Sequence, residues 1–153
     1  MTLELHATPE EVMRAVEALQ EFARTQQVPE KIAFELALAL EECGSNIVNH
    51  ALQRDAQQTF RVTFGRAGDE IFIELRDRGP EFDPTAGRES DSRTEDEDAI
   101  GGWGIRLVRQ HTNEMRYQRE AGENILRLIK RLKPEAGATE FQKSQTKQSK
   151  TKT

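Results

Sequence analysis

Leu36–His50 reads LALALEECGSNIVNH, and how it is read decides the fold. At the helical period of 3.6, Ile32, Leu36, Leu40, Cys43, Ile47 and Ala51 share one stripe, a core face. Glu42, Asn46 and Asn49 share a second stripe, with His50 at the border between the two, while Glu41 points away toward solvent. A carboxylate and an amide spaced i and i+4 are therefore presented together beside a hydrophobic core. A solvated helix face more often carries Lys, Arg and Glu in i,i+4 pairs. Gly44, Ser45, Asn46 and Asn49 are poor helix formers in a helix otherwise rich in Ala and Leu. A helix end drifting into polar residues has the same composition, so this stretch alone leaves a structural and a functional reading open.

The chain around it has 153 residues, enough for one domain with one sizeable core. It is 35% hydrophobic and 32% charged, polar enough that part of it is expected to stay outside the core. A net charge of -5 argues against nucleic acid as a partner. Cys43 is the single cysteine; it has no internal disulfide partner and reads as a small buried hydrophobe. No apolar run approaches the roughly 18 residues of a membrane span, and the opening MTLELHATPEEV lacks the apolar segment of a signal peptide. The expectation is a cytoplasmic protein with no membrane association.

Leu3 and Leu5 alternate with polar residues, as in a short strand. Thr8-Pro9-Glu10-Glu11 predicts a helix start with a capping box, and apolar spacing carries that helix through Val12, Val16, Leu19 and Phe22 to Thr25. Pro29 restarts a helix that runs to about Leu52. Phe60, Val62 and Phe64, then Ile71, Ile73 and Leu75, alternate as the arms of a hairpin around Ala67-Gly68-Asp69, the second arm ending at Asp77. Asp77 to Pro84 has loop chemistry, and Glu89 to Asp98 is an acidic run without apolar residues. Gly101, Gly102 and Gly104 open a further helix ending near His111. A second hairpin turns at Gly122, between Met115/Tyr117 and Ile125–Leu132. From Pro134 the chain is polar and is expected to be a disordered tail over 134–153, its lysines solvated.

Three polar clusters are thus set between core elements. A glycine-rich turn opening a helix offers N–H groups and a positive dipole end to an anion, typically phosphate. An Asp where a strand meets a glycine-bearing loop can accept from a planar donor. Asn is a neutral oxygen ligand suited to Mg²⁺ when phosphates supply the other oxygens, and a Glu one turn away can take a proton from an attacking hydroxyl.

In this order and on these elements, the clusters resemble the N, G1 and G2 boxes of the GHKL (Bergerat-fold) ATPases, most of all those of the anti-sigma factor serine/threonine kinase family. The pattern Glu-x-x-x-Asn-x-x-x-His is Glu42, Asn46 and His50; Asp-x-Gly-x-x-Phe-Asp-Pro is Asp77, Gly79, Phe82, Asp83 and Pro84; Gly-Gly-x-Gly is Gly101, Gly102 and Gly104. Glu81 stands where the superfamily carries a second glycine, and Ile100 where some relatives carry a basic residue. The resemblance covers about residues 1–133. It implies an α/β fold, a two-layer α/β sandwich with a mixed, mainly antiparallel sheet and helices on one face. It implies Glu42 as the general base and Asn46 as the Mg²⁺ ligand. Asn46, Asn49, His50, Asp77, Gly79, Phe82, Gly101, Gly102, Trp103 and Gly104 would contact ATP. By the same resemblance the chain would bind a sigma factor or other regulator, phosphorylate an anti-sigma factor antagonist protein, and act as a homodimer. An ATP-dependent partner-binding switch with little or no kinase activity is the alternative, favoured by the acidic run. A histidine-kinase ATPase domain is the less expected reading, since these 153 residues show neither a second domain nor a dimerising helix pair.

Overall fold

The computed structural model describes residues 1–86 and 102–133. In chain order the elements are β1 (Thr2–His6), α1 (Pro9–Thr25), α2 (Glu30–Asn46), a π-helical turn (Ile47–Ala51), β2 (Thr59–Ala67), β3 (Glu70–Asp77), a 3-10 turn (Pro84–Ala86), α3 (Gly102–His111), β4 (Glu114–Glu120) and β5 (Glu123–Arg131). The strands form one sheet in the order β1-β2-β3-β5-β4. Every pairing among the described residues is antiparallel, so the mixed sheet implied by the resemblance reduces to its antiparallel part. The hairpins β2-β3 and β4-β5 stand side by side, joined at the centre by β3 against β5.

Strand alternation builds one layer of the core and helix periodicity the other. Leu5, Phe60, Val62, Phe64, Ile73, Leu75 and Leu128 pack in one cluster with Val12, Val16 and Leu19 of α1, Leu36 and Leu40 of α2, and Val108 of α3. The opposite sheet face carries charge: Arg76 pairs with Glu74 at 2.7 Å, and the Arg127 guanidinium lies 4.0 Å over the Phe72 ring.

Local chemistry explains the boundaries. Thr8 Oγ1 accepts from the Glu11 N–H at 3.3 Å, as expected of an N-cap. Only half of the capping box forms, because the Glu11 carboxylate is taken by Arg14 at 2.6 Å, a charged donor one turn further on. The long second helix ends its α-helical part at Asn46 and widens into the π turn, with Leu52 N–H donating to the Ile47 carbonyl at 2.8 Å. Gly44 has a packing reason for its place in a helix: a Cβ there would lie 3.1 Å from Val12 Cγ1, so glycine lets α1 and α2 approach. Ala121 and Gly122 turn the β4-β5 hairpin with φ of 49° and 78°, the double left-handed geometry of a tight two-residue loop.

Candidate functional site

Asp77 ends β3 and is 6% exposed, an unusual depth for a carboxylate. Its Oδ1 accepts from the Gly79 N–H at 2.9 Å and from Asn124 Nδ2 at 3.0 Å. Its Oδ2 has no hydrogen-bond partner among the described residues. Asp77 lines a cavity of about 260 Å³ whose other walls include Ile47, Ala51, Ile105, Leu126, Pro80 and Phe82. A buried acceptor facing apolar walls suits a flat, largely apolar ligand that carries an amino donor.

The loop after Asp77 is drawn against the end of the second helix. A Cβ on Gly79 would stand 2.8 Å from Ala51 Cβ and 2.9 Å from the Ala51 carbonyl oxygen, so this position requires the absence of a side chain. Phe82 sits at the cavity mouth, 53% exposed, with its N–H donating to Asn124 Oδ1 at 3.3 Å.

The helix supplies the other polar groups. Cys43, Asn46 and His50 line the cavity. Burial first, and then the Glu42 charge, pushes the Cys43 thiol up to about 12, so it stays protonated and serves as wall. Glu42 is half-buried beside Asn46, one helical turn earlier, and outside the cavity lining. It lies instead against α3: a Cβ on Gly104 would collide with Glu42 Oε2, so the glycine lets the α3 backbone close on the carboxylate. Neither Glu42 nor Asn46 has a side-chain hydrogen-bond partner among the described residues.

Asn49 is placed differently. A π-helical turn advances each residue by a smaller angle than an α-turn, so Asn49 falls behind the Glu42–Asn46 stripe and does not line the cavity. Its Oδ1 accepts from Arg54 Nε at 2.8 Å, and Arg54 holds a left-handed backbone with φ of 57°. Gly102 and Trp103 are the first residues of α3, while Gly101 and the acidic run Glu89–Asp98 lie outside the described residues.

The site also contains residues that motif reading did not select. Asn124, Tyr117 and Arg119 come from the β4-β5 hairpin; Tyr117 OH donates to Asn124 Oδ1 at 2.6 Å, and Arg119 Nη1 donates to the Gly79 carbonyl at 2.8 Å. Burial, followed by the Glu81 charge, raises the Tyr117 hydroxyl above its ordinary value, keeping it a donor. One signal was available: Asn is depleted in strands, and Asn124 opens a run of Ile and Leu. Among the described residues no group of three or more His, Cys, Asp and Glu could enclose a metal. A cation here would need oxygens from its ligand beside the Asn46 amide.

Fold and cavity together define an α/β sandwich with one buried acceptor at a largely apolar cavity. The sequence model of the family described as "Histidine kinase-like ATPase domain" matches residues 5–130. The chain is 30% identical over 136 residues to the serine/threonine-protein kinase BtrW of Bordetella bronchiseptica, covering 88% of this chain and 96% of that protein. It is 28% identical over 96 residues to the serine-protein kinase RsbW of Bacillus subtilis, 60% of each chain. Among solved structures, the RsbU and RsbW domains of a Mycobacterium tuberculosis protein match with a TM-score of 0.62 at 21% identity, over 88% of this chain and 33% of that one. The SiaB–SiaC complex of Pseudomonas aeruginosa matches with a TM-score of 0.65 at 12% identity, over 84% of this chain and 88% of that one. The chain belongs to the histidine kinase-like (GHKL) ATPase family, in its anti-sigma factor serine/threonine kinase branch. Its nucleotide is ATP.

Proposed function

We propose that the chain is an ATP-dependent protein serine/threonine kinase that binds a sigma factor or similar regulator and phosphorylates a cognate antagonist protein. The observation that carries this reading is the unpartnered Asp77 Oδ2, buried in the same cavity that Asn46 lines, with Glu42 one turn from Asn46. Asp77 Oδ2 accepts from the adenine amino group, and Ile47, Ile105 and Leu126 enclose the ring. The phosphates extend toward Asn46 and the N-terminus of α3, where N–H groups and the helix dipole favour negative charge. Asn46 would hold Mg²⁺ through its amide oxygen together with phosphate oxygens; when bound, that ion neutralises charge on the transferring group.

Glu42 takes the proton of the acceptor's Ser or Thr hydroxyl. The hydroxyl oxygen bonds to the γ-phosphorus, the bond from that phosphorus to the β,γ-bridging oxygen breaks, and ADP departs. Gly104 contributes by letting α3 close on the Glu42 carboxylate, which limits its motion. The kinase domain is residues 1–133, acting as a homodimer in the cytoplasm. No described helix is long and apolar enough to cross a membrane.

The test is phosphate transfer from labelled ATP to purified antagonist proteins. Wild type is expected to transfer, and Glu42→Gln to bind ATP without transferring. A wild type that binds ATP and its partner but phosphorylates no antagonist establishes instead a partner-binding switch, the reading that the acidic run Glu89–Asp98 favours.

A further inference from the structure

Asn124 is the second residue of β5, paired in register with Asp77 and 5% exposed. Its amide is engaged on both sides. Nδ2 donates toward Asp77 Oδ1 at 3.0 Å, the Pro80 carbonyl at 2.9 Å and the Gly79 carbonyl at 3.4 Å. Oδ1 accepts from Tyr117 OH at 2.6 Å, Arg119 Nη1 at 3.0 Å and the Phe82 N–H at 3.3 Å. Exchanging the amide's oxygen and nitrogen would set an oxygen against three acceptors and an NH₂ against a guanidinium and an amide N–H, so the network fixes its orientation.

That orientation has a consequence for the carboxylate next to it. Two donors, Gly79 N–H and Asn124 Nδ2, hold Asp77 by Oδ1 alone. Rotating the Asp77 carboxylate toward either neighbour would forfeit both bonds, so Oδ2 is left as the free acceptor of a side chain that lines the cavity. The same amide ties down Pro80 and Phe82, which form part of the cavity wall. We propose that Asn124 is the positioning residue for base recognition: it holds Asp77 in the one rotation that presents a free acceptor to a ligand's amino group. This rests on the reading of Asp77 as the adenine acceptor. It assigns the sharpness of that recognition to a side chain that need not touch the base at all.

A hub that only held the loop in place would lower affinity for every nucleotide alike. A positioning residue instead controls the preference for ATP over purine riboside triphosphate, which lacks the 6-amino group. Calorimetric titration of the full chain with both ligands separates the two. Wild type is expected to prefer ATP by about tenfold to about a hundredfold, the range for a hydrogen bond to a charged group. In Asn124→Leu that preference is expected to vanish, with ATP affinity falling to that of the analogue. Should the leucine variant fail to fold, Asn124→Val, a strong strand former, is measured in its place with the same expectation. A variant that keeps the wild-type preference, whatever its overall affinity, overturns the role of Asn124. A wild type that binds both ligands equally overturns the adenine reading of Asp77 itself.

Discussion

The two ends of the site are built on opposite terms. At the Asp77 end, the buried Asp77 and Asn124 are bonded to each other, to the loop backbone, and to the half-buried Tyr117 and the exposed Arg119, with Asp77 Oδ2 the acceptor left over. At the Glu42 end, two half-buried side chains stand on one helix face with no side-chain partner among the described residues. The difference follows from burial. A polar group withdrawn from water must find its hydrogen bonds inside the fold, so the Asp77 end is part of what holds the protein together. Glu42 and Asn46 remain partly solvated and can wait for a ligand. On the proposed function, recognition is organised in advance, and the transfer site would be completed when nucleotide and acceptor arrive.

Substitutions at the two ends should separate cleanly, and the largest effect belongs to Glu42. Glu42→Gln is expected to lower phosphate transfer about a hundredfold to about ten-thousandfold, the range for a lost general base, while calorimetric ATP affinity holds. If ATP affinity fell with transfer, the two ends would not be independent. Asp77→Asn should weaken ATP binding about tenfold to about a hundredfold with little change in melting temperature, because the amide oxygen can keep the two donors that Oδ1 holds while the NH₂ replaces the free acceptor at the cavity. Undiminished ATP affinity in that variant would remove the adenine assignment. Next comes Gly79→Ala, whose Cβ would press on Ala51 Cβ at 2.8 Å and on its carbonyl oxygen at 2.9 Å. A loss of about 1–3 kcal/mol is expected from overpacking, read by thermal unfolding, with ATP affinity reduced as the loop shifts.

The smallest effect lies away from both ends. Glu35 of α2 is 14% exposed and accepts from Lys130 Nζ on β5 at 2.6 Å, with His111 Nδ1 at 4.0 Å. The Lys130 hydrogen bond holds the Glu35 carboxyl below its ordinary value. Its folded pKa is thus the lower one, and its contribution is present above the unfolded carboxylate pKa and lost as pH falls through the folded pKa. Lys130→Met is expected to cost about 1 kcal/mol near neutral pH and to flatten the acid-side fall in stability, measured by denaturant melts across that range. An equally steep fall in the variant would place the acid sensitivity elsewhere.

Much of this was open to reading along the chain. Helix and strand periods, the Thr8 cap, the hairpin glycines and the spacing of Glu42 and Asn46 are all set by neighbours a few residues apart, and such relations survive in a linear string. Cys43 as wall and Glu41 as the outward acid follow from the same periodicity, and the structure agrees: Cys43 is buried and Glu41 exposed. The boxes placed Asp77, Gly79 and Asn46 together before any coordinates did.

What tertiary structure alone decided involves partners far apart in sequence. Asn49 belonged to the Glu42 stripe only while the helix was taken as α throughout; the π turn, whose last residue Ala51 meets Gly79, moves it onto Arg54. Gly44 is explained by Val12, and Gly104 by the Glu42 carboxylate, contacts set by how helices cross. Asn124 acquires its meaning from a strand register that sets it against Asp77. Sequence by itself determined the elements and which residues are candidates for phosphoryl transfer, because periodicity and side-chain chemistry are local. The aim of the Asp77 carboxylate was decided only in three dimensions, because a buried polar group takes its orientation from whichever distant donors the fold brings to it.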